Sequence, residues 1–477
     1  MNKVKMLLLT IFLISNFFGL SHASSGNNLT SEEKIYGLSL FWKEVSYNFA
    51  YFDQVEDLDW DATYLSYIPK VKATKNNFEY YRVMSKFAAK LNDGMTYIKI
   101  PESLVNQYVD FPRVKLAEAE GMAIVIAVED KYKQQIPLGS IVLEVDGLKT
   151  LDVLKTDVFP YISSSTDHIR LDWAIKGNKS HGYGLLAGKP GSIVDIKLQL
   201  PDASIKNVQL KRDLAANKIT WHSSEGVARK EIENKEAISV RFLDKDVVYI
   251  ALNNFNDIEL VDKFKKLIPK MQSAKGLILD LRFNRGGNTM IVEDILKYLT
   301  FHDLTGAKSK MRIHNATFKA WGKFAQNYTW AKKYESYFLD QAWTELDPDI
   351  ISSDDVNKLD KIVVPTAILI GRNTSSSAEN FLIYASGAEH FTTIGEPTFG
   401  STGQPLIIDL PGNGTAKICT KRDTYADGRD FVGFGIEPDI NVERKMSYYL
   451  TKKDLVLNVA IQYLKDKSGK TSLIASK

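Results

Sequence analysis

The period of the apolar positions divides this chain into three stretches. Between about residues 30 and 105 the period is helical. Leu38, Trp42, Val45 and Phe49 fall at spacings of four, three and four, and Tyr81, Met84, Ala88 and Leu91 at three, four and three. Each set lines one helix face. "NDG" at 92–94 supplies turn residues that stop the second helix and deliver "MTYIKIP" as a short strand. From about 106 to 213 the period falls to two. In "SIVDIKLQL", Val194, Ile196, Leu198 and Leu200 share one face while Asp195, Lys197 and Gln199 share the other, which predicts a half-buried strand. "GMAIVIAV" and "GSIVLEVDG" predict further strands between Gly and Asp turns, and "ISSSTDHIRLDWAIKGNKSHGYG" reads as a less regular insert.

A polar connector at 214–245 leads into a stretch, 246–466, where apolar runs no longer alternate. "VVYIAL", "GLILDLRF" and "IVVPTAILIG" are interleaved with helical patterns near 259–272, 289–299 and 377–386, and a polar tail follows at 467–477. Buried strands alternating with helices predict a largely parallel sheet in an α/β domain. Ligands of such sheets sit where loops leave the carboxyl ends of the strands.

Composition narrows the picture. With 44% apolar and 25% charged residues in 477, the chain is that of a soluble globular protein of several domains, and a net charge of +3 gives no reason to expect nucleic acid as a partner. Residues 1–23 combine "MNKVK", the apolar run "MLLLTIFLISNFFGL" and the small-residue end "SHA", and are expected to be a cleaved secretory signal. An uncleaved N-terminal anchor is the alternative. The expected location is periplasmic or extracellular, in a bacterium, with no membrane span in the mature chain. A single cysteine, Cys419, excludes an intramolecular disulfide and a cysteine-rich zinc site. No metal or cofactor is expected.

Two strand ends carry candidate chemistry. "LDLRFNRGGN" leaves its strand through Gly286 and Gly287, and "ILIGRNTSSSAEN" leaves another through a serine run; each opens a helix. Backbone N–H groups at a helix start stabilise developing negative charge, so a nucleophile on one loop and donor amides on the other would form an acyl-transfer site. Each motif also has a plain structural reading. Ser376 followed three residues on by Glu379 is a capping box, and two glycines can serve a tight turn.

Taken in order, "GLILDLRFNRGG", "TSSSAENF", "IGEPTFGSTGQPL" and "GFGIEPDI" resemble the C-terminal processing, or tail-specific, serine peptidases and the related core of tricorn protease. The resemblance implies an α/β peptidase core of parallel-rich sheet with helices (the crotonase-like, tail-specific protease fold). It also implies a PDZ-like β domain at 106–213 and an N-terminal helical cap at 30–105. It makes Ser376 the nucleophile, with Ser377 and Gly286 or Gly287 forming the oxyanion hole.

The base is another matter. The Ser/Lys branch of that family places its lysine where this chain has Ser401. The tricorn-like branch, to which the chain is closer, takes a histidine where "LNDGMTYI" has Met95 and a carboxylate where Val432 aligns. A thioether neither accepts nor donates a proton usefully. His168, His181, His222, His302, His314 and His390 lie outside these motifs, although the insert bearing His168 and His181 could fold towards the cleft. Three readings follow. The first is an exported serine peptidase that attacks extended or C-terminal peptide segments captured by the PDZ-like domain, slowed by the missing base. The second is an inactive peptide-binding pseudopeptidase. The third is a carrier of apolar ligands, since interphotoreceptor retinoid-binding proteins resemble the same core. Asn373–Ser375 is formally a glycosylation sequon whose glycan would obstruct the site, which favours a bacterial envelope.

Overall fold

The computed structural model describes residues 28–214, 218–223, 236–243 and 246–474. The expected signal at 1–23, most of the connector and the end of the tail lie outside them.

The first predicted helix is Ser31–Asn48, opened by a capping box in which Glu33 N–H donates to Thr30 Oγ1 at 3.2 Å and Thr30 N–H to Glu33 Oε2 at 2.8 Å. The second is Asn77–Ala88, and Asn92, with φ 48, turns the chain out of it. Periodicity did not separate a third helix between them, Trp60–Lys72, capped by Asp59 and joined to its neighbours by Trp60 stacking on Phe87 at 4.3 Å. The strand Tyr97–Lys99 then pairs antiparallel with Gly414–Cys419. A short segment near residue 97 is thereby stitched into the far end of the chain.

The period-two stretch forms an antiparallel sheet in the order Val114–Ala119, Met122–Glu129, Ile141–Val145, Ile193–Gln199, Ile205–Lys211. Val194, Ile196 and Leu198 are buried together with Val125, Val142 and Leu210, as the alternation requires. The insert is more regular than its sequence suggested, because Asp167–Lys176 is a helix that buries Ile169, Ala174 and Ile175. Its buried face also carries Asp172, a charge that breaks the apolar pattern, and flanking serines and glycines hid the rest.

The large sheet has the order Ile440–Asn441, Phe391–Gly395, Thr366–Ile370, Gly276–Asp280, Val247–Leu252, Ile238–Leu243. All neighbours run parallel except the last pair. Every residue of Gly276–Asp280 and Thr366–Ile370 is buried, which is why these runs do not alternate. The strand Ile238–Leu243 corrects the connector boundary, since the end of the polar stretch is an edge strand of this sheet. The helix expected near 259–272 is broken into Leu260–Lys265 and Ile268–Met271. Pro269 has no N–H to continue the first segment. Residues 308–346 add a lobe that the periodicity did not reveal, in which the strands Lys308–Arg312 and Trp343–Leu346 join Lys421–Thr424 and bracket the short helices Ala316–Gly322 and Glu335–Phe338.

Two buried ionic clusters tie these parts together. Arg282 sits between Asp280 and Asp454, donating at 2.6 Å to one and 2.8 Å to the other. Arg372, four residues before Ser376, bonds Glu118 and approaches Asp172 at 3.5 Å, both from the small-sheet region, and meets Glu396 of the core at 3.1 Å.

Candidate active site

The adjacent parallel strands Gly276–Asp280 and Thr366–Ile370 release the glycine loop and the serine loop side by side. Short polar side chains then lock loop to loop. Thr374 Oγ1 donates to the Leu281 carbonyl at 2.8 Å, Ser375 N–H to the Asn284 carbonyl at 3.1 Å, and Ser377 Oγ to the Gly287 carbonyl at 2.6 Å. The serine run therefore has divided labour. Its neighbours position the turn, while Ser376 stands at the apex.

Ser376 has φ 57 and ψ −126, a conformation that costs a non-glycine residue about 1–3 kcal/mol and persists only where the surroundings impose it. They do so here. Ser376 N–H donates to the Ser401 carbonyl at 3.3 Å and to Glu379 Oε2 at 3.1 Å, and Glu379 N–H returns to the Ser376 carbonyl at 2.8 Å. The Glu379 half of the expected capping box is present, while Glu379 N–H bonds the Ser376 carbonyl, and the pair shapes a strained strand-to-helix turn as well as starting a helix. Gly286 completes the fit. It has φ 90, and a Cβ there would stand 2.7 Å from Ser376 Cβ and 2.9 Å from Ser377 N.

The two glycines differ in what they leave available. Gly286 N–H donates to Asn284 Oδ1 at 2.8 Å, and Asn284 is itself fixed by its Nδ2 on the Leu252 carbonyl at 3.0 Å. Among the described residues, Gly287 and Ser377 leave their N–H groups without an acceptor. Asn284 was missed at the sequence level. Its signal was an amide side chain two residues before the glycine that needs its donor held.

Glu379 is fully buried and accepts from Thr398 Oγ1 at 2.6 Å, Gly400 N–H at 2.7 Å, Ser376 N–H and Ser401 N–H. Burial outweighs these donors and pushes its carboxyl up to about 7. The folded chain then binds this proton more tightly than the unfolded chain does. Stability from this group is complete below about pH 4.5 and is lost as the pH rises towards 7, a change of up to roughly 3 kcal/mol. Glu379→Gln is expected to flatten that part of a plot of unfolding free energy against pH, measured by urea titration between pH 4.5 and 8. An unchanged slope would overturn the assignment.

The three positions expected to hold a base gather around this turn, and none holds one. Ser401 lies fully buried against it, and its Oγ is 3.4 Å from Asp93 Oδ1 and 3.3 Å from where a Gly94 Cβ would stand. Gly94 leads directly to Met95. Val432 is buried beside Gly433, whose N–H bonds the Gly400 carbonyl. Asp93 carries a carboxyl raised by burial and engaged by Thr96 Oγ1 at 2.6 Å.

Met95, His181, Tyr183, Arg285, Ser375 and Phe399 help line a cavity of about 250 Å³. His181 thus comes to the cleft. Burial, with Lys99 and Lys417 nearby, lowers it to about 4, so it is neutral at physiological pH, and its Nδ1 has no partner. His168 instead contacts the Thr398 carbonyl at 2.9 Å, His314 that of Tyr47, and His390 that of Leu299 at 2.8 Å. No histidine, lysine or carboxylate is hydrogen-bonded to the Ser376 hydroxyl among the described residues. Nor does any group of three His, Cys, Asp or Glu there form a metal site.

Residues 246–442 match the model of peptidase family S41. The chain is 24% identical over 274 residues to the carboxy-terminal processing protease CtpA of Bacillus subtilis (strain 168), covering 57% of this chain and 47% of that protein. It is 20% identical over 268 residues to CtpB of the same organism, covering 56% and 45%. The chain thus spans about half the length of the curated relatives it matches. In fold it is similar to mature CPAF, with a TM-score of 0.65 at 15% identity over 94% of this chain and 99% of that one. The S41 match falls on both site loops and the similarity of fold to mature CPAF extends beyond them over most of the chain, so residues 246–442 carry a peptidase S41 domain.

Proposed function

We propose that this protein engages extended or C-terminal peptide segments in the cleft beside Ser376 and that any acyl transfer there is slow. Ser376 Oγ is the nucleophile. The Ser377 and Gly287 N–H groups receive the oxyanion, and Gly286 serves as the close-packed partner of the turn. The observation that carries this reading is the strained Ser376 backbone, held by Glu379 and Ser401 and overlaid by Gly286. Such geometry exposes a serine between two sets of amides. The small antiparallel sheet is the PDZ-like module proposed to present the peptide, and export after signal cleavage is the proposed route of the chain.

Attack requires a proton acceptor for Oγ, and Met95, Ser401 and Val432 supply none. Losing a general base costs a factor of about 10² to 10⁴. That loss favours the inactive, peptide-binding reading over efficient proteolysis. The cavity of about 250 Å³ is small for a carrier of large apolar ligands. A fluorophosphonate probe tests the nucleophile directly. Slow labelling that disappears in Ser376→Ala is the expected result. Labelling equally strong in that variant would remove Ser376 from the role, and rapid labelling with peptide cleavage by the unaltered chain would overturn the view that its base is lost.

A further inference from the structure

The lobe between the strands Lys308–Arg312 and Trp343–Leu346 has two faces. Inside it, Phe318 packs against Tyr334 at 4.8 Å and Tyr337 at 5.1 Å, and Ala325 and Ala331 are buried. This small core accounts for the fold of the lobe. Trp321 borders that core, 5.6 Å from Phe318 and 5.0 Å from Tyr334, while outside it Phe324, Tyr328, Trp330, Phe338 and Leu339 are each 41–54% exposed. Their rings form a run, with Phe324 6.3 Å from Tyr328 and Tyr328 6.3 Å from Trp330. So many large apolar side chains on one projecting segment need a partner surface.

Charge selects the partner. Lys323, Lys332 and Lys333 are exposed among the rings and have no carboxylate partner among the described residues, whereas Lys319 is neutralised by Asp340 at 2.6 Å. Glu335 is the only acid from 313 to 339. A second copy of the chain would set these lysines against one another. Tryptophan, tyrosine and phenylalanine at headgroup depth with lysines around them suit an anionic bilayer surface. No helix among the described residues is long and apolar enough to cross a membrane, so such attachment lies on the surface.

The geometry points to the lobe at 313–339 as a peripheral membrane-binding surface that docks on anionic lipid through its outer aromatic side chains and three exposed lysines that lack a carboxylate partner among the described residues. This inference is independent of the reaction at Ser376. It is tested with the full chain and sedimenting vesicles of phosphatidylcholine, alone or mixed equally with phosphatidylglycerol. The triple variant Phe324→Ser, Trp330→Ser, Leu339→Ser is expected to partition at least about tenfold less onto the mixed vesicles. Lys323→Gln, Lys332→Gln, Lys333→Gln together are expected to lose about fivefold per charge on the mixed vesicles. That loss should be absent on phosphatidylcholine. All variants keep the apolar run at 6–20, so differences from the parent report the lobe alone. Brominated lipid quenching of parent tryptophan fluorescence, reduced in Trp330→Phe, decides the matter without a destabilising change. Equal partition of parent and variants, or unchanged quenching in Trp330→Phe, would overturn the inference. So would a shift from dimer to monomer in the serine variant without any change in lipid binding, since a second copy would then cover the patch.

Discussion

Met95→His is expected to raise the rate of fluorophosphonate labelling at Ser376 by about a hundredfold, the lower end of what a positioned general base contributes. Met95 borders the same cavity as Ser375, follows the Gly94 that packs beside Ser401, and is half-buried in a turn fixed by Asp93 and Thr96. An imidazole at that position enters an aromatic, partly dry environment already shaped to receive a side chain. The upper end of the range is out of reach because Val432 offers no carboxylate to orient the ring. Labelling kinetics of parent, Met95→His and Met95→His/Ser376→Ala check the prediction. No gain in the single variant would mean that position 95 does not face the nucleophile.

Arg282→Met is expected to destabilise the fold by about 3–5 kcal/mol, the usual consequence of leaving buried charges unpaired. Arg282 is 5% exposed and donates to Asp280 at 3.0 and 2.6 Å and to both oxygens of Asp454 at 2.8 Å, while Tyr249 Oη adds a bond to Asp280 at 2.6 Å. Methionine fills much of the volume but removes the guanidinium from between two carboxylates, which keep only neutral donors such as Tyr249 Oη, the backbone N–H of residue 282 and Leu457 N–H. Asp280 ends the strand that feeds the glycine loop, so the loss falls where the site is anchored. Urea unfolding of the variant would measure it. Removing Asp454 as well, in Arg282→Met/Asp454→Asn, is expected to recover part of the loss, whereas a single variant as stable as the parent would show that the cluster contributes nothing.

The sequence carried the elements whose pattern is local. Val194, Ile196 and Leu198 alternate because one sheet face is buried, and Tyr81, Met84, Ala88 and Leu91 recur at helical spacing for the same reason. Both loops at the site were legible only because their motifs stand in order with "IGEPTFGSTGQPL" and "GFGIEPDI", since glycines and serines at strand ends are common turn residues. What remained hidden depends on pairing at long range. The amide two residues before Gly286 was a local sign that the Gly286 N–H is occupied, but it did not say that Gly287 is left as the free glycine donor. Nothing near Glu379 announces contacts with Gly400 and Ser401 in addition to its own helix start. His181 reaches the cavity only because its segment folds back against Tyr97, at 5.2 Å between rings. The helix Asp167–Lys176 and the edge strand Ile238–Leu243 were obscured by polar residues, whose roles became clear only with their neighbours in place.

The Arg372 cluster has a mechanical consequence. Its partners come from both sides of a junction, with Glu118 and Asp172 on one side and Glu396, also bonded by Arg444 at 2.8 Å, on the other. Closed, Arg372 bonds Glu118 and Glu396 and stands 3.5 Å from Asp172; fully parted, water would hydrate each charge. A partial opening does neither, because separated charges in a still-dry gap lose their mutual attraction before solvent replaces it. The junction is therefore stiff against small displacements and yields only to large ones. Since Arg372 lies on the segment that leads to Ser376, these charges couple the serine turn to the small antiparallel sheet.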